Sequence, residues 1–513
     1  MMAAIEQQNI KCLGDLIAAD DKNIAAITVA DIKLDSRLVC AGDLFLACKG
    51  HAVDGRNFID QAIAAGAAAV VADKDALWPE NTELQGVPII VMENLNLQLS
   101  AIAGNFFGQP STALSVVAVT GTNGKTTCTQ LMMQLLNRLH KSCAVIGTLG
   151  TGVEGDLDVG INTTPDAVSV QAHLAQWCED QVNTVVMEVS SHGLEQGRVA
   201  ALQFELALFT NLSRDHLDYH GSMQAYAEAK ASLFRQSALQ KAVINSDDAF
   251  AETLFNIVAA DVDIFSYSIQ PVANDKRTPA VWVENIAYHS EGVKARLHSP
   301  WGQFELNSPL LGAFNLSNVV AVIASLGALG YPVSIVVDEI AGLKTVVGRM
   351  ERVTSAAAGL CVVVDYAHTP DALLQALQAM RNHTQGQLWC VFGCGGDRDQ
   401  GKRFQMGAVA QRFADHVVVT SDNPRTESAR TIIDEILSGV DCPTLVEEDR
   451  ARAIEFAIVS AAPGDSVLIA GKGHEDYQLI GAQRFPFSDI KQARLALSKR
   501  TTATGYDSQG EDA

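Results

Sequence analysis

Positive charge is scarce in this sequence. Against 59 Asp and Glu there are only 37 Lys and Arg, a formal net charge of −22. Binding to a phosphate backbone needs concentrated Lys and Arg, so this balance argues against a nucleic-acid surface. Small anions are not excluded, because a few cations in a cleft can hold a nucleotide while the outer surface stays acidic. Long apolar runs are missing as well: nothing approaches the roughly 18 unbroken residues of a membrane span. Met1 to Leu13 carries no basic-then-apolar signal pattern, which sets the expectation of a cytoplasmic protein that is not membrane-embedded. The ten cysteines are scattered, and Cys40/Cys48 and Cys390/Cys394 lack metal-site spacing. Most are expected to be small core residues, with disulfides improbable in a reducing compartment. No internal repeat of solenoid length is present.

What is there is a soluble globular balance, 48% hydrophobic and 19% charged, over 513 residues. That length predicts roughly three domains. Residues 1–110 read as short mixed elements: Ile27–Ala30, Leu44–Leu46, an Ala-rich helix over Gln61–Ala68, the strand Ala69–Ala72, and a helix over Leu97–Phe107 ended by Gly108 and Pro110. Residues 111–346 open with the apolar strand Leu114–Thr120, a Gly-rich loop and a helix to about His140. Further apolar runs follow at Thr184–Met187, Leu206–Thr210 and Ala242–Asn245. Buried strands alternating with helices predict a mostly parallel sheet. Residues 347–500 repeat the alternation at Cys361–Asp365, Leu388–Phe392, His416–Thr420 and Ser466–Ala470, an open doubly wound, Rossmann-like pattern. Residues 501–513 are polar and acidic and read as a flexible tail. The fold class is α/β throughout.

The chemistry begins at Gly121-Thr122-Asn123-Gly124-Lys125-Thr126-Thr127, between a strand and a helix. Glycines let backbone N–H groups approach phosphates, and the helix N-terminus adds a favourable dipole. Lys125 is placed to reach the β- and γ-phosphates of a nucleotide and the Thr126 hydroxyl to bind Mg²⁺. The usual first glycine of such a loop is replaced by Val119, a shortened variant. Downstream, Glu188 follows the strand Thr184–Met187, and His216 lies in the segment after Leu206–Thr210. Ends of strands are where open α/β sheets bind ligands. An acid, an imidazole and a hydroxyl there make a reasonable Mg²⁺ shell.

These residues resemble the Mur ligases of bacterial cell-wall synthesis, over essentially the whole chain. Thr120 to Thr127 is similar to that family's form of the loop, which accounts for Val119. The resemblance implies an ATP-dependent, amide-forming ligase with an N-terminal UDP-binding domain, a central ATPase domain and a C-terminal domain that binds the incoming amino acid. It implies magnesium, two ions, at Thr126, Glu188 and His216, with Lys230 of Tyr226-Ala227-Glu228-Ala229-Lys230 carbamylated as a further ligand. Asn315, Asn318, Arg349, Asp365 and His368 match further nucleotide positions.

Within the family, the N-terminal segment is similar to members that extend UDP-N-acetylmuramoyl-L-alanyl-D-glutamate. Leu34, Ser36, His51, Ala52 and Val53 match positions at the uridine end. Asn162, Thr163, Thr164, Ser190, Gln196 and Arg198 match positions along the muramoyl-dipeptide. Asp422-Asn423-Pro424-Arg425 is similar to the motif of members that add meso-diaminopimelate, with Arg398, Gly471 and Glu475 at the remaining amino-acid positions. The physical reason is direct. Diaminopimelate resembles lysine with an added distal carboxylate, which a guanidinium grips through two parallel hydrogen bonds. Monomeric state is expected, with small molecules as the partners. Two other functions remain open on the residues alone: a related ligase such as a folylpolyglutamate synthetase, and a regulatory switch that hydrolyses nucleotide slowly.

Overall fold

The computed structural model describes residues 10–18, 21–50, 53–270, 279–289, 292–353 and 359–504. The chain divides into two compact units, Met1–Phe265 and Ser266–Ala513.

Among its described residues the first unit holds a small antiparallel pairing of Lys11–Cys12 with Thr28–Val29 and two larger sheets. One comprises Ile32–Lys33 (β1), Leu44–Ala47 (β2), Ala69–Asp73 (β3), Thr82–Leu84 (β4) and Val87–Met92 (β5), in the order β1-β2-β3-β5-β4. β2 and β3 are buried along their whole length, because apolar clusters cover both faces of this small sheet. The Ala-rich stretch is helical only over Ile59–Ala64, after which the chain turns at Gly66 into β3. A helix at Leu95–Phe107 (α1) ends as expected at Gly108.

The second sheet carries Ser115–Thr120 (β6), the helix Lys125–Arg138 (α2), Cys143–Gly147 (β7), Gly150–Val153 (β8), Asp156–Asp158 (β9), the helix Ala167–Glu179 (α3), Thr184–Glu188 (β10), Leu206–Phe209 (β11), the helix Met223–Ala231 (α4) and Lys241–Asn245 (β12). Within the unit the order runs β9-β8-β7-β10-β6-β11-β12. All pairs from β7 to β12 are parallel, while β8 and β9 fold back as an antiparallel edge. From β6 the chain moves first to one side of the sheet and later to the other. That reversal leaves a crevice beyond the carboxyl end of β6, where such sheets bind ligands. The register places Val119 opposite Glu188 and Thr120 opposite Phe209, so the residues following β6, β10 and β11 share one edge.

The second unit begins with an antiparallel meander, Val281–His289 (β13), Gly292–Ser299 (β14) and Gly302–Ser308 (β15), which was not expected from the sequence. Its strands alternate buried and exposed residues, so no continuous apolar run announces them. The buried helix Ala313–Ala328 (α5) follows. Then come Glu351–Val353 (β16), Cys361–Asp365 (β17), Leu388–Phe392 (β18), His416–Val419 (β19), Leu445–Val446 (β20) and Ser466–Ala470 (β21) in the order β16-β17-β21-β18-β19-β20. Only the edge strand β16 is antiparallel. Apolar clusters line both faces, the doubly wound arrangement read from the sequence. A hairpin, Tyr477–Ile480 (β22) and Gln483–Pro486 (β23), follows β21. The last helix, Asp489–Thr504, runs four residues into the segment read as a tail; residues 505–513 lie outside the described residues. Among the described residues no helix is long and apolar enough to cross a membrane. All ten cysteines are free thiols.

Candidate active site

At the carboxyl end of β6 the loop is built mainly from backbone. Thr122 N–H donates to Asn211 O at 2.8 Å, Asn123 N–H to Asn211 Oδ1 at 2.9 Å, and Thr210 Oγ1–H to Asn123 O at 2.6 Å. Gly121 (φ +149°) has no room for a side chain: a Cβ there would lie 1.9 Å from Thr210 Oγ1. Asn211 is a structural residue that the sequence reading passed over; its position one residue beyond Thr210 was the available signal. Lys125 Nζ donates to Gly121 O (2.8 Å) and Thr122 O (3.0 Å), neutral acceptors that phosphate oxygens can replace.

Glu188, 1% exposed, is brought to this loop. Its Oε2 accepts from Thr126 Oγ1 at 2.9 Å and Thr148 Oγ1 at 3.2 Å, and its Oε1 from Thr148 N–H at 2.8 Å. Lys230, on α4, is also 1% exposed, with Nζ donating to Gly121 O at 2.8 Å and lying 4.6 Å from the Tyr226 ring. No carboxylate pairs with it among the described residues. Burial, followed by the Lys125 cation, pushes its pKa well down from the ordinary lysine value, against a smaller opposing pull from Asp215. A buried, unpaired lysine is costly as a cation and favours the neutral amine.

His216 takes a left-handed backbone (φ 53°) and joins a ring cluster: His192 at 4.9 Å and Tyr226 at 6.0 Å, with His220 and Tyr219 packed against His192. Tyr226 Oη shares a 3.0 Å hydrogen bond with Thr122 Oγ1, which ties the cluster to the loop. Burial holds the His216 pKa below its usual value, and that of His192 at about 4. His192, Tyr219, His220 and Tyr226 were not singled out from sequence, because each alone reads as an ordinary polar residue. Among the described residues no three His, Cys, Asp or Glu side chains form a metal-binding group. The donor set here is therefore one carboxylate, hydroxyls, an imidazole and Lys230. That suits a hard ion drawing its remaining ligands from phosphates and water.

Beyond β10, Thr164 Oγ1 donates to Glu188 O at 2.9 Å and accepts from Ser190 N–H at 3.0 Å, while Thr163 meets Thr148 at 3.1 Å. Arg198 Nη1 donates to Thr164 O and Nη2 to Gln196 Oε1 at 2.6 Å. Among the described residues its hydrogen-bond partners are neutral, and burial lowers the Arg198 pKa. Asn162 lies exposed beside this group. Gln196 and Arg198 also line a cavity of about 970 Å³ in the same unit, together with Leu34, Ser36, Val53 and Lys49. Ser36 Oγ–H donates to Gln61 Oε1 at 3.0 Å. His51 and Ala52 lie outside the described residues.

In the second unit, Arg349 stacks on Tyr366 (4.6 Å), and Asp365 accepts from Met350 N–H (2.7 Å) and Ala367 N–H (2.8 Å). Burial raises the Asp365 carboxyl above its ordinary range, although Arg349 and these N–H groups oppose it. His368 Nδ1 lies 2.8 Å from Tyr366 O. Asn315 and Asn318 are buried on α5, where Asn315 Nδ2 donates to Leu311 O at 2.8 Å.

The loops leaving β18, β19 and β21 meet at the carboxyl edge of the second parallel sheet. Asn423 Nδ2 donates to Glu475 Oε2 at 2.8 Å. Lys472 Nζ, wholly buried, donates to Asn423 Oδ1 (2.9 Å) and Glu475 Oε2 (3.1 Å), with Asp422 at 3.9 Å. A Cβ on Gly471 would lie 2.6 Å from Asp422 Oδ2, and Pro424 is buried beside them. Arg425 and Arg398 converge on Gly395, where an added Cβ would lie 2.9 Å from Arg425 Nη1 and 3.9 Å from Arg398 Cγ. Among the described residues neither guanidinium has a carboxylate partner. Arg450, fully buried, pairs with Asp489 (both contacts 2.7 Å) and donates to Ser421 O and Ala470 O. It thus fixes the ends of β19 and β21. Lys472, Arg450 and Asp489 were invisible in the sequence, where isolated charges read as surface residues.

A strand–loop–helix of the anion-cradling kind in one α/β sheet and a charged cluster of loops on a second, doubly wound sheet define a phosphate-using α/β enzyme of several parts. Family models match in three successive segments: "Mur ligase family, catalytic domain" at residues 28–107, "Mur ligase middle domain" at 119–326 and "Mur ligase, glutamate ligase domain" at 348–473. The chain is 48% identical over 477 residues to the UDP-N-acetylmuramoyl-L-alanyl-D-glutamate–2,6-diaminopimelate ligase of Pseudomonas aeruginosa, covering 92% of this chain and 96% of that protein. It is also 48% identical to the protein of the same name from Ectopseudomonas mendocina, with the same coverage of both chains. A solved structure bearing that name matches with a TM-score of 0.71 at 37% identity, over 96% of this chain and 99% of that one. The chain belongs to the Mur ligase family.

Proposed function

We propose that this chain is an ATP-dependent ligase that joins meso-diaminopimelate to UDP-N-acetylmuramoyl-L-alanyl-D-glutamate, in the supply of peptidoglycan precursor. The observation that carries the choice of amino acid is the pair Arg398 and Arg425, two cations without carboxylate partners beside a Glu475 held by Lys472 and Asn423. Such a pocket fits a substrate with a distal carboxylate and an ammonium.

The γ-carboxylate of the D-glutamate attacks the γ-phosphorus of ATP, and ADP leaves, giving an acyl phosphate. The diaminopimelate amine then attacks the acyl carbon and phosphate departs. Lys125 exchanges its loop carbonyls for phosphate oxygens, and the N–H groups at the start of α2 face the same charge. Arg198, Gln196, Ser190 and the Asn162–Thr164 segment orient the muramoyl-dipeptide, with Leu34, Ser36, His51, Ala52 and Val53 at the uridine end. Asn315, Asn318, Arg349, Asp365 and His368 contact nucleotide. Thr126, Glu188, His216 and Lys230 are the residues that would hold magnesium, two ions in this reading. When bound, the metal neutralises phosphate charge. Lys230 suits carbamylation: its neutral amine adds to CO₂, forming an N–C bond and releasing a proton, and becomes an anionic oxygen donor. A monomer working in the cytoplasm, where ATP and UDP-sugars are available, completes the reading.

Phosphate release measured with each substrate omitted in turn tests this. Release should require ATP, the UDP-dipeptide and diaminopimelate. Release without diaminopimelate would point to a hydrolytic switch, and release with a folate substrate to a related ligase.

A further inference from the structure

We infer that Arg403 and Glu427 form an ion-pair clasp that fixes Arg398 against Arg425, and so sets how strictly the site demands a second carboxylate on its amino acid. The inference rests on the amino-acid site proposed above. Arg398 and Arg425 stand on separate loops, one leaving β18 and the other β19. The Arg425 backbone is bridged to the β22–β23 hairpin, its N–H donating to Leu479 O at 3.1 Å and its carbonyl accepting from Gly481 N–H at 2.7 Å, while Arg398 lies in no helix or strand.

The two loops touch with nothing between them. A Cβ on Gly396 would fall 2.0 Å from Pro424 O and 3.3 Å from Glu427 Cβ. Arg425 Nη1 donates to Gly396 O at 2.7 Å, and Gly396 N–H to Asn423 O at 2.9 Å. Asp397 N–H donates to Glu427 Oε1 at 2.5 Å, and Thr426 Oγ1–H to Asp397 Oδ1 at 2.7 Å. Both Asp397 (φ 53°) and Arg425 (φ 52°) are non-glycine residues in left-handed backbone, a conformation that persists only where the surroundings impose it.

The hairpin supplies part of that imposition at Arg425, and Arg403 ties the two loops to each other. The Arg403 side chain is 0% exposed. Nη1 and Nη2 grip the two oxygens of Glu427 at 2.9 and 2.8 Å, Nη1 also reaches Glu435 at 2.7 Å, and Nη2 reaches Gly395 O at 3.3 Å. One guanidinium therefore ties the Arg398 loop, through Gly395, to the Arg425 loop, through Glu427. The bond from Arg403 holds the Glu427 carboxyl down at about 2, so the clasp stays charged at neutral pH. Arg403 and Glu427 are positioning residues: they act through Arg398 and Arg425. Released, the arginines would lose their common geometry, and diaminopimelate would suffer more than lysine, which has no distal carboxylate to grip.

The experiment is steady-state kinetics of the full chain with ATP, the UDP-dipeptide and either diaminopimelate or lysine. Arg425→Ala is the reference, beside Glu427→Gln, Glu427→Asp and Arg403→Met. Glu427→Gln should raise the KM for diaminopimelate about tenfold or more, the scale of a small misplacement of binding groups. The KM values for ATP and the UDP-dipeptide should stay within about twofold, and the preference for diaminopimelate over lysine in kcat/KM should fall about tenfold. Glu427→Asp, which keeps the charge, should recover part of both. If Arg403→Met does not fold, Glu427→Gln alone decides, since its carboxylate is 21% exposed. An unchanged KM for diaminopimelate in Glu427→Gln, while Arg425→Ala raises it, overturns the clasp and leaves the site assignment standing. An equal rise in the ATP KM also overturns it, as the mark of a general structural fault. If Arg425→Ala itself leaves that KM unchanged, the site assignment fails and the clasp fails with it.

Discussion

Around Gly121 the phosphate loop is held by main-chain N–H and C=O groups and a few hydroxyls, with Asn211 and Thr210 as its scaffold. Around Arg425 the loops are held by ion pairs built on buried cations: Arg403 with Glu427 and Glu435, Lys472 with Glu475, Arg450 with Asp489. Both sites lie at the carboxyl edge of a parallel sheet. They differ in what must be constant. A phosphate is recognised by backbone amides whose placement follows from one strand, one tight turn and one helix. A zwitterionic amino acid needs side chains from loops distant in sequence, and only cross-links between those loops give them a single arrangement. Supporting groups in the first site should therefore be dispensable one at a time, and those in the second should not.

The largest effect is expected at Lys230. Lys230→Ala removes a buried amine beside the loop, and turnover should fall on the order of 10³-fold, the scale for losing a preorganised electrostatic group. Added short carboxylic acids should restore part of it by supplying the missing oxygen donor. No rescue at any concentration would leave carbamylation without support. Next comes Arg450, a support in the second site. Arg450→Met strands Asp489 as a buried charge, and unfolding measured by denaturant should show a loss of about 3 to 5 kcal/mol. Replacing both partners by apolar residues should recover most of it, as buried pairs commonly do. A loss under about 1 kcal/mol in the single variant would erase the contrast between the two sites.

This contrast also explains what could be read in the sequence. Cys361–Asp365, Leu388–Phe392 and Ser466–Ala470 were legible to the residue, because strands covered on both faces are written as unbroken apolar runs. The phosphate loop was legible because seven consecutive residues carry it. Arg425 and Glu475 became legible through family resemblance. Arg403, Lys472 and Arg450 did not, since a lone cation has the same spelling on a surface and in a buried network. The meander at 281–308 escaped for a similar reason: half its side chains face outward, so Val281-Trp282-Val283-Glu284-Asn285 gives no apolar run.

Arg425→Ala sharpens the comparison from the functional side. Its loss should raise the KM for diaminopimelate about 10²-fold, within the roughly 2 to 5 kcal/mol of an unpaired buried charge contact. The KM for ATP should hold. Equal effects on both would remove Arg425 from the amino-acid site.

The smallest effect is predicted for Thr148→Val, a support in the phosphate site. Thr148 contributes two bonds to Glu188: the hydroxyl at 3.2 Å and the N–H at 2.8 Å. Valine removes the first, together with the hydroxyl's 3.1 Å contact to Thr163 Oγ1, at nearly the same volume and keeps the second, which belongs to the backbone. Glu188 Oε2 retains Thr126 Oγ1 at 2.9 Å and Oε1 retains the Thr148 N–H, so neither oxygen of the carboxylate is left without a partner. A hydrogen bond to a charged group contributes about 1.5 to 3 kcal/mol net, and this one, at 3.2 Å, belongs at the weak end, which converts to a fall in kcat/KM of roughly 10-fold. Magnesium titration should shift by no more than the same factor. A fall matching that of Lys230→Ala would mean that the phosphate site depends on its side-chain supports as strictly as the amino-acid site does, and the distinction between backbone-held and ion-held loops would be lost.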